Sequence, residues 1–343
     1  MLERRFFYLS VFIALFLILA AVSLPVRGST ATSSLPERRA AVEKAVSWFQ
    51  AQQATDGSIG GQNTGKSCEV AFVVATAGED PDAPAWTPEG VSLLDACERD
   101  VPIYLARRDS GRMGKVLRAV VAASADPHDF GGLDLIAEIE GKYDPAIGLY
   151  DPIFLFRQDL AILALDDAGR PIPDAVLPAL LAQQRPTGGW GWAVEPDPED
   201  GFNDEGDLDT TARTLQVIRA LGLSLNHPAY IRAVEFITDL QNPDGGWGDN
   251  QGPTNTNSTA LAIEGLLAGG WDPEAPPYIQ SNQTPVQTLL TLQEESGAFI
   301  YRVGGEESRL MATIDAVPAL LHTYPGDIPK TNHLYLPILI ATQ

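Results

Sequence analysis

Two stretches of the sequence decide the fold: Gln184–Gly191 reads QRPTGGWG, and Gln241–Gly248 reads QNPDGGWG. In both, a helix-like apolar segment ends in Gln, and four residues later comes Gly, followed by a small residue and a large apolar one. The same register recurs after Gln53 and after Gln293. The last three Gln are 57 and 52 residues apart. A fixed period of this size indicates a repeat protein in which each repeat holds two helices and their loops.

The motif predicts the end of a helix, followed by a turn that an aromatic side chain packs against its neighbour. The glycine can adopt the positive φ that ends a helix, and the aromatic side chain then packs the turn onto the neighbouring repeat. We therefore assign structural roles to six residues, which are Gln184, Gly188, Trp190, Gln241, Gly245 and Trp247.

Each stop is followed by a second helix that is more apolar and richer in small residues. Such helices are expected to be buried. The segments are Glu69–Gly78, Gln158–Leu165, Thr211–Gly222, Thr259–Gly269 and Thr313–Leu321. The first helices, such as Glu37–Gln53 and Ala229–Gln241, carry one apolar stripe and one charged face, which places them outside.

Completing the pattern gives six helix pairs. Val91–Val101 with Met113–Ser124 form the second pair, and Gly132–Glu140 with Ile153–Leu165 form the third. The predicted fold is all-α, an α6/α6 toroid (α/α barrel) over residues 35–325, followed by a tail over 326–343. An open superhelix is the alternative, but no polar capping repeat is evident at either end, which favours a closed ring.

The N-terminal segment has a different character from the rest. Arg4 and Arg5 precede an apolar run, Phe6–Val22, and small residues follow Pro25. This pattern predicts a signal peptide or an N-terminal membrane anchor over residues 1–34. The body is then secreted, or extracytoplasmic and membrane-anchored. Its net charge of −22 excludes nucleic acid as a partner, because phosphate binding needs a basic face.

The cysteines, the histidines and one acidic loop are the candidates for a disulfide or a metal site. Cys68 and Cys97, the only cysteines, form either a disulfide, as an oxidising compartment favours, or two buried thiols. The four histidines show no paired metal-ligand spacing with either cysteine, so we predict no metal site there. The acidic loop between Glu195 and Asp209 is either a calcium site or a solvated loop, and it lacks the spacing of an EF-hand.

The two Gln and Trp stretches resemble the repeat motifs of squalene and oxidosqualene cyclases. The resemblance extends as a repeat pattern from about Glu37 to Pro325. It implies the toroid of the prenyltransferase and squalene-cyclase repeat superfamily. Terpene cyclases, protein prenyltransferase β subunits, cobalamin carriers of the transcobalamin and intrinsic-factor type, and complement-like thioester domains share that toroid. The fold by itself does not choose among their functions.

One motif points to a cyclase. Asp207–Ala212 reads DLDTTA and resembles the DxDDTA motif of class II terpene cyclases, whose middle Asp protonates an alkene or epoxide. Asp209 would be that general acid, which requires a carboxyl group kept protonated by burial and by its neighbours. Thr210 replaces the motif's next Asp, which removes one like-charged neighbour. The resemblance also implies an active site between two barrels and a cytoplasmic location.

A second resemblance points to the cobalamin carriers. Tyr150–Leu165 and Asn257–Gly269 are similar to inner helices of that group, whereas the zinc-ligand set of prenyltransferases and the thioester motif have no matching positions. Polar residues at inner-helix starts would converge on one mouth of the ring. The candidate ligand-binding residues are Tyr150, Gln158, Asp159, Asp209, Thr210, Asn257, Ser258, Thr313 and Asp315. The N-cap role is the alternative for Asp209, Asn257 and Ser258.

The sequence thus leaves three functions open. The first is a non-catalytic exported or cell-surface protein that binds a hydrophobic or corrinoid-like small molecule, with a cobalamin-like corrinoid as the possible cofactor. The second is a class II terpene cyclase with Asp209 as acid. The third is a structural surface interaction module. A bore plugged by side chains, with Asp209 capping its own helix, would exclude the cyclase.

Overall fold

A computed structural model describes residues 33–195 and 204–321, except for the side chain of Asn250. The predicted signal or anchor segment lies outside these ranges apart from its last two residues. The predicted C-terminal tail and most of the acidic loop also lie outside them. Within the described ranges, no helix combines the length and the apolar character needed to span a membrane.

Twelve α-helices are present in the described residues, and they alternate between an outer and an inner position. In chain order they are α1 (Leu35–Gln52), α2 (Lys66–Thr76), α3 (Leu93–Tyr104), α4 (Ser110–Ala122), α5 (Leu135–Glu140), α6 (Leu155–Asp167), α7 (Val176–Ala182), α8 (Leu208–Ala220), α9 (Pro228–Asp239), α10 (Thr256–Ala268), α11 (Pro285–Thr291) and α12 (Arg309–Leu321). The odd-numbered helices are amphipathic or short, and the even-numbered ones are buried along most of their length.

The even-numbered helices form a closed ring. Each packs against the next, from α2 through α4, α6, α8 and α10 to α12, and α12 packs back against both α2 and α1. The predicted all-α toroid of six helix pairs is therefore confirmed. Closure gives every inner helix two inner neighbours, so the faces that point to the axis must enclose a common space.

Four glutamines tie a repeat to the following one, at four of the six junctions of the ring. The Gln184 side-chain amide donates to the Gly188 carbonyl at 2.7 Å and to the Ala229 carbonyl of the next outer helix at 2.8 Å. Gln241 and Gln53 make the same pair of bonds in their own repeats. Gln293 does so with Gly297 and with Ala41 of α1, which joins the last repeat to the first. Each of these glutamine side chains thus stabilises its own turn and also the contact with the next repeat.

The glycine of the motif is required by space as well as by conformation. Gly188 has φ +100°, and a Cβ placed on it would lie 2.4 Å from the carbonyl oxygen of Arg232 in the next outer helix. Gly297 has φ +96°, and its Cβ would lie 2.2 Å from the carbonyl oxygen of Lys44 in α1. Any side chain here would push neighbouring repeats apart.

The aromatic residue of the motif is buried, as predicted. The indole N–H of Trp190 donates to the Leu180 carbonyl at 2.8 Å, and its backbone N–H donates to the hydroxyl of Thr211 in α8 at 2.8 Å. Trp247 makes equivalent bonds with Ile237 and Thr259. The inner helix therefore holds the turn in place through a threonine hydroxyl in its first turn.

The inner helices begin earlier than the apolar pattern predicts. Helix α8 begins at Leu208, and its N-cap is Asp207, whose carboxylate accepts from the backbone N–H of Thr210 at 2.7 Å. Helix α10 begins at Thr256, and its N-cap is Asn255. Asp209, Asn257 and Ser258 are therefore not the N-caps of these helices, because Asp207 and Asn255 occupy those positions. Cys68 of α2 and Cys97 of α3 form a disulfide.

Candidate active site

A cavity of about 250 Å³ lies inside the ring. All six inner helices line it, so it exists only because the ring closes. The lining residues are Glu69, Phe72, Val73, Thr76, Lys115, Arg118, Phe156, Leu160, Asp209, Arg213, Asn257, Leu261, Glu264, Met311, Ile314, Asp315 and Pro318. The bore is open, and Asp209 lines it.

Much of the wall is apolar and aromatic. Phe72 and Phe156 contribute ring surfaces, and Leu160 and Leu261 contribute aliphatic surface. The Arg118 guanidinium lies over the Phe72 ring at 4.4 Å from its centroid. Such walls suit a hydrocarbon chain, and aromatic faces also stabilise a passing positive charge.

The charged groups of the wall are paired with one another. Glu69 accepts from Lys66 at 2.8 Å and from Lys115 at 2.9 Å. Although burial opposes it, these two lysines hold the pKa of Glu69 below its ordinary value. Arg213 pairs with Glu264 at 3.3 Å. The pairs offset each other's charge, as buried charges require.

Asp209 is held as a protonated acid. It occupies the second position of α8, and within the described part of the chain its Oδ1 has no hydrogen-bond partner. Burial, together with the nearby carboxylate of Asp207, raises the pKa of Asp209 to about 8. A helix N-terminus favours an anion, but only by about 0.3–1 kcal/mol at ordinary sites, so desolvation prevails. Asp209 therefore carries its proton at neutral pH.

The replacement of the motif's next Asp by Thr210 does not leave the acid without like-charged neighbours. Asp207, Asp249 and Asp315 all raise the pKa of Asp209, while a hydrogen bond from Ser258 lowers it. Asp249 is fixed by the Tyr301 hydroxyl at 2.6 Å. The weakening expected from the altered motif is therefore compensated by carboxylates from other parts of the chain.

A second carboxyl group in the same cavity behaves differently. Burial raises the pKa of Asp315 to about 6, but Lys115 and Arg213 oppose the rise. The Asn257 side-chain amide donates to Oδ2 of Asp315. Asp315 is therefore ionised at neutral pH, where Asp209 is not.

The structure brings together three of the nine candidate ligand residues: Asp209, Asn257 and Asp315 line the cavity. The others do not line it. Their partners lie in the inner-helix starts and in the turns between repeats. The Tyr150 backbone N–H donates to Gln158, Asp159 accepts from Thr214 at 2.6 Å, Thr210 donates to Asp207, Ser258 donates to Asp249, and Thr313 accepts from the Phe299 N–H. Most polar groups at helix starts therefore belong to turn or interhelical contacts, and only a few face the bore.

Sequence reasoning missed the charged groups in the middle of the inner helices. These are Glu69, Lys115, Arg118, Arg213 and Glu264. A signal was present, since each interrupts an otherwise apolar helix. Inner helices that are apolar all round would leave no polar cavity, so charged residues on them mark the faces that point to the axis.

Comparisons with known proteins bear first on the fold. No protein-family model matches the chain. The structure of the type II terpene cyclase MstE from Scytonema superposes with a TM-score of 0.57 at 14% identity, covering 83% of this chain and 98% of MstE. The chain therefore has the helical toroid fold that MstE has. An unsaturated glucuronyl hydrolase from Bacillus sp. GL1 also superposes, with a TM-score of 0.58 at 17% identity, covering 84% of this chain and 96% of the hydrolase.

One curated relative is similar in sequence. A drimenyl diphosphate synthase from Streptantibioticus cattleyicolor is 26% identical over 200 residues, which covers 54% of this chain. The chain spans about a third (34%) of the length of that enzyme. MstE has also been solved with geranylgeranyl dihydroxybenzoate as substrate and with merosterolic acid A as product.

These findings correct two expectations. The non-catalytic carrier is wrong as the main function, because the findings point to terpene cyclase-like enzymes, which include MstE with its substrate and its product and the drimenyl diphosphate synthase. The comparisons support neither a corrinoid ligand nor a membrane partner. The expected active site between two barrels does not apply to MstE, because this one toroid covers 98% of the MstE chain.

Proposed function

We propose that the chain is a class II terpene cyclase, which starts ring closure by protonating an alkene or an epoxide of a prenyl chain. Asp209 is the general acid. The observation that carries the proposal is the placement of the Asp209 carboxyl group, whose pKa burial raises, in a largely apolar cavity enclosed by six helices. Support also comes from the DLDTTA motif and from the drimenyl diphosphate synthase relative.

The first step follows from this placement. The π electrons of a terminal alkene take the proton from Asp209, which leaves an aspartate anion and a carbocation at the more substituted carbon. Internal double bonds then attack that carbocation in turn, so each new C–C bond closes a ring and moves the positive charge along the chain. Phe72 and Phe156 line the cavity, and their rings would stabilise the positive charge as it moves.

A substrate panel tests this proposal. Purified protein is incubated with farnesyl and geranylgeranyl diphosphates, with squalene and its epoxide, and with a geranylgeranyl-substituted hydroxybenzoate, and products are analysed by mass spectrometry. We expect a cyclic isomer of at least one substrate, and at least a 100-fold loss of rate in Asp209→Asn, since general acid catalysis contributes about 10²–10⁴. Cyclisation that persists in Asp209→Asn would refute the assignment, and no cyclisation of any substrate would count against the activity.

The proposal extends to an extracytoplasmic location. The buried Cys68–Cys97 disulfide supports it, because such bonds persist in oxidising compartments. Fractionation of cells that produce the full chain, with trapping of free thiols before lysis, tests both points. Recovery of the chain in the cytoplasm with two free thiols would contradict them.

A further inference from the structure

We propose that Asp315 is the base that ends the reaction, taking a proton from the final carbocation, and that Asn257 positions it. This inference rests on the proposed cyclase function. It assigns a separate role to the second carboxyl group that the ring places in the cavity with Asp209.

Geometry puts the two carboxyl groups on different walls of one space. Asp209 stands on α8 and Asp315 on α12, and both line the cavity together with Asn257 of α10, the inner helix between them. The Asn257 amide donates to Oδ2 of Asp315, and within residues 33–195 and 204–321 its own Oδ1 has no partner. A bond to one oxygen fixes the carboxylate while leaving the other oxygen for a proton.

The surrounding charges keep the two groups in opposite protonation states. Asp315 faces Lys66 and Glu69 of α2, Lys115 of α4 and Arg213 of α8. The three cations favour its anion, so its pKa rises only to about 6, whereas Asp209 rises to about 8. Two carboxyl groups in one site with pKa values that are pushed apart divide into an acid and a base.

The other carboxylates of the wall are less suited to the task. Glu69 accepts from two lysines, and Glu264 is paired with Arg213. A proton placed on either would leave buried cations without their partner. Asp315 has a neutral hydrogen-bond donor as its direct partner, so it can change charge with less disturbance.

The termination step is balanced. A C–H bond next to the cationic carbon breaks, its electron pair becomes the new C=C bond, and the proton moves to the carboxylate of Asp315. The product is a neutral alkene. The enzyme is left with Asp209 ionised and Asp315 protonated, and proton exchange with solvent restores both groups before the next turnover.

The test compares three variants on whichever substrate the wild-type protein cyclises. Asp315→Asn keeps the shape and removes the base, so we expect the rate to fall by at least about 100-fold, or the alkene to be replaced by an alkene isomer or a water-quenched alcohol. Asp100→Asn is the matched control, because Asp100 is a buried carboxyl of the outer helix α3 and does not line the cavity. It should give the wild-type product.

Asn257→Ala gives a readout that a purely structural role would not move. Losing the hydrogen bond to the carboxylate raises the pKa of Asp315, so the acidic limb of the pH–rate profile should shift to higher pH. Asp315→Asn that yields the wild-type product within threefold of the wild-type rate would overturn the inference and leave the cyclase proposal standing. If Asp315→Asn fails to fold, an acidic limb of the pH–rate profile that is not shifted in Asn257→Ala would likewise overturn the inference. A wild-type protein without activity would instead count against the cyclase itself.

Discussion

Replacing Asp209 with Asn should stabilise the protein while it abolishes the acid. In the fold the pKa of this carboxyl is raised from 3.8 to about 8 by burial and by Asp207. Between those values the folded chain keeps a proton that the unfolded chain releases. Native Asp209 therefore lowers stability progressively as pH rises from about 4 to about 8, and an Asn, which resembles the protonated acid, carries no such cost.

The size of the effect follows from the two pKa values. Each pH unit between them is worth about 1.4 kcal/mol. At pH 7, about three units above the unfolded pKa, the upper bound for the gain is about 4 kcal/mol. At pH 4 the gain should be below about 1 kcal/mol, because the folded state is then protonated and the unfolded state is about half protonated.

Urea unfolding at pH 4, 5, 6, 7 and 8 measures the difference between Asp209→Asn and the native chain. Asp82→Asn removes an exposed carboxyl and is the control for the change in net charge. The difference for Asp209→Asn should grow with pH and level off above about 8, and the control should show no such growth. A variant that is no more stable than the native chain, or a difference that does not depend on pH, would refute the claim that this acid is held protonated by the fold.

Three further outcomes follow from the same structure. The initial rate of cyclisation, measured from pH 4.5 to 9.5, should rise through about 6 as Asp315 ionises and fall above about 8 as Asp209 loses its proton; a rate that keeps rising beyond pH 9 would contradict this order. Gly297→Ala should cost about 2–4 kcal/mol by urea unfolding, whereas Gly222→Ala, which also has positive φ but open space around it, should cost about 1–2; equal costs would remove the steric argument. Gln241→Met should cost about 1–3 kcal/mol in the same assay, because it leaves two carbonyls without their donor, and an unchanged midpoint would show that those bonds are dispensable.

The toroid could be predicted because its repeats require particular residue types at fixed positions of the turn. A positive φ beside a close helix neighbour demands glycine, as at Gly188, and an amide that donates to two repeats demands a side chain such as Gln184. These demands recur at four of the six junctions between repeats, so they leave a period in the sequence. The ends of the inner helices were less predictable, since their caps, such as Asp207, stand before the apolar run begins.

The cavity was not predictable in the same way. Asp209 stood out only because its surroundings resemble a known motif, and the carboxylates that raise its pKa come from positions as distant as Asp249 and Asp315. Arg213 and Glu264 pair across 51 residues of sequence. No periodicity reports such contacts, because they arise only when six helices close on one axis.

The fold leaves a hydrolase and a cyclase equally possible, since solved structures of both kinds superpose on this chain. The cavity separates them. A glycoside hydrolase must bring water to its carboxyl pair and must offer free hydrogen-bonding groups to a sugar. Here Glu69 and Glu264 are already engaged with cations. Water beside Asp209 would also solvate its anion and lower its pKa. The burial that raises the pKa of Asp209 therefore also favours the proposed carbocation, which must be shielded from water to close a ring.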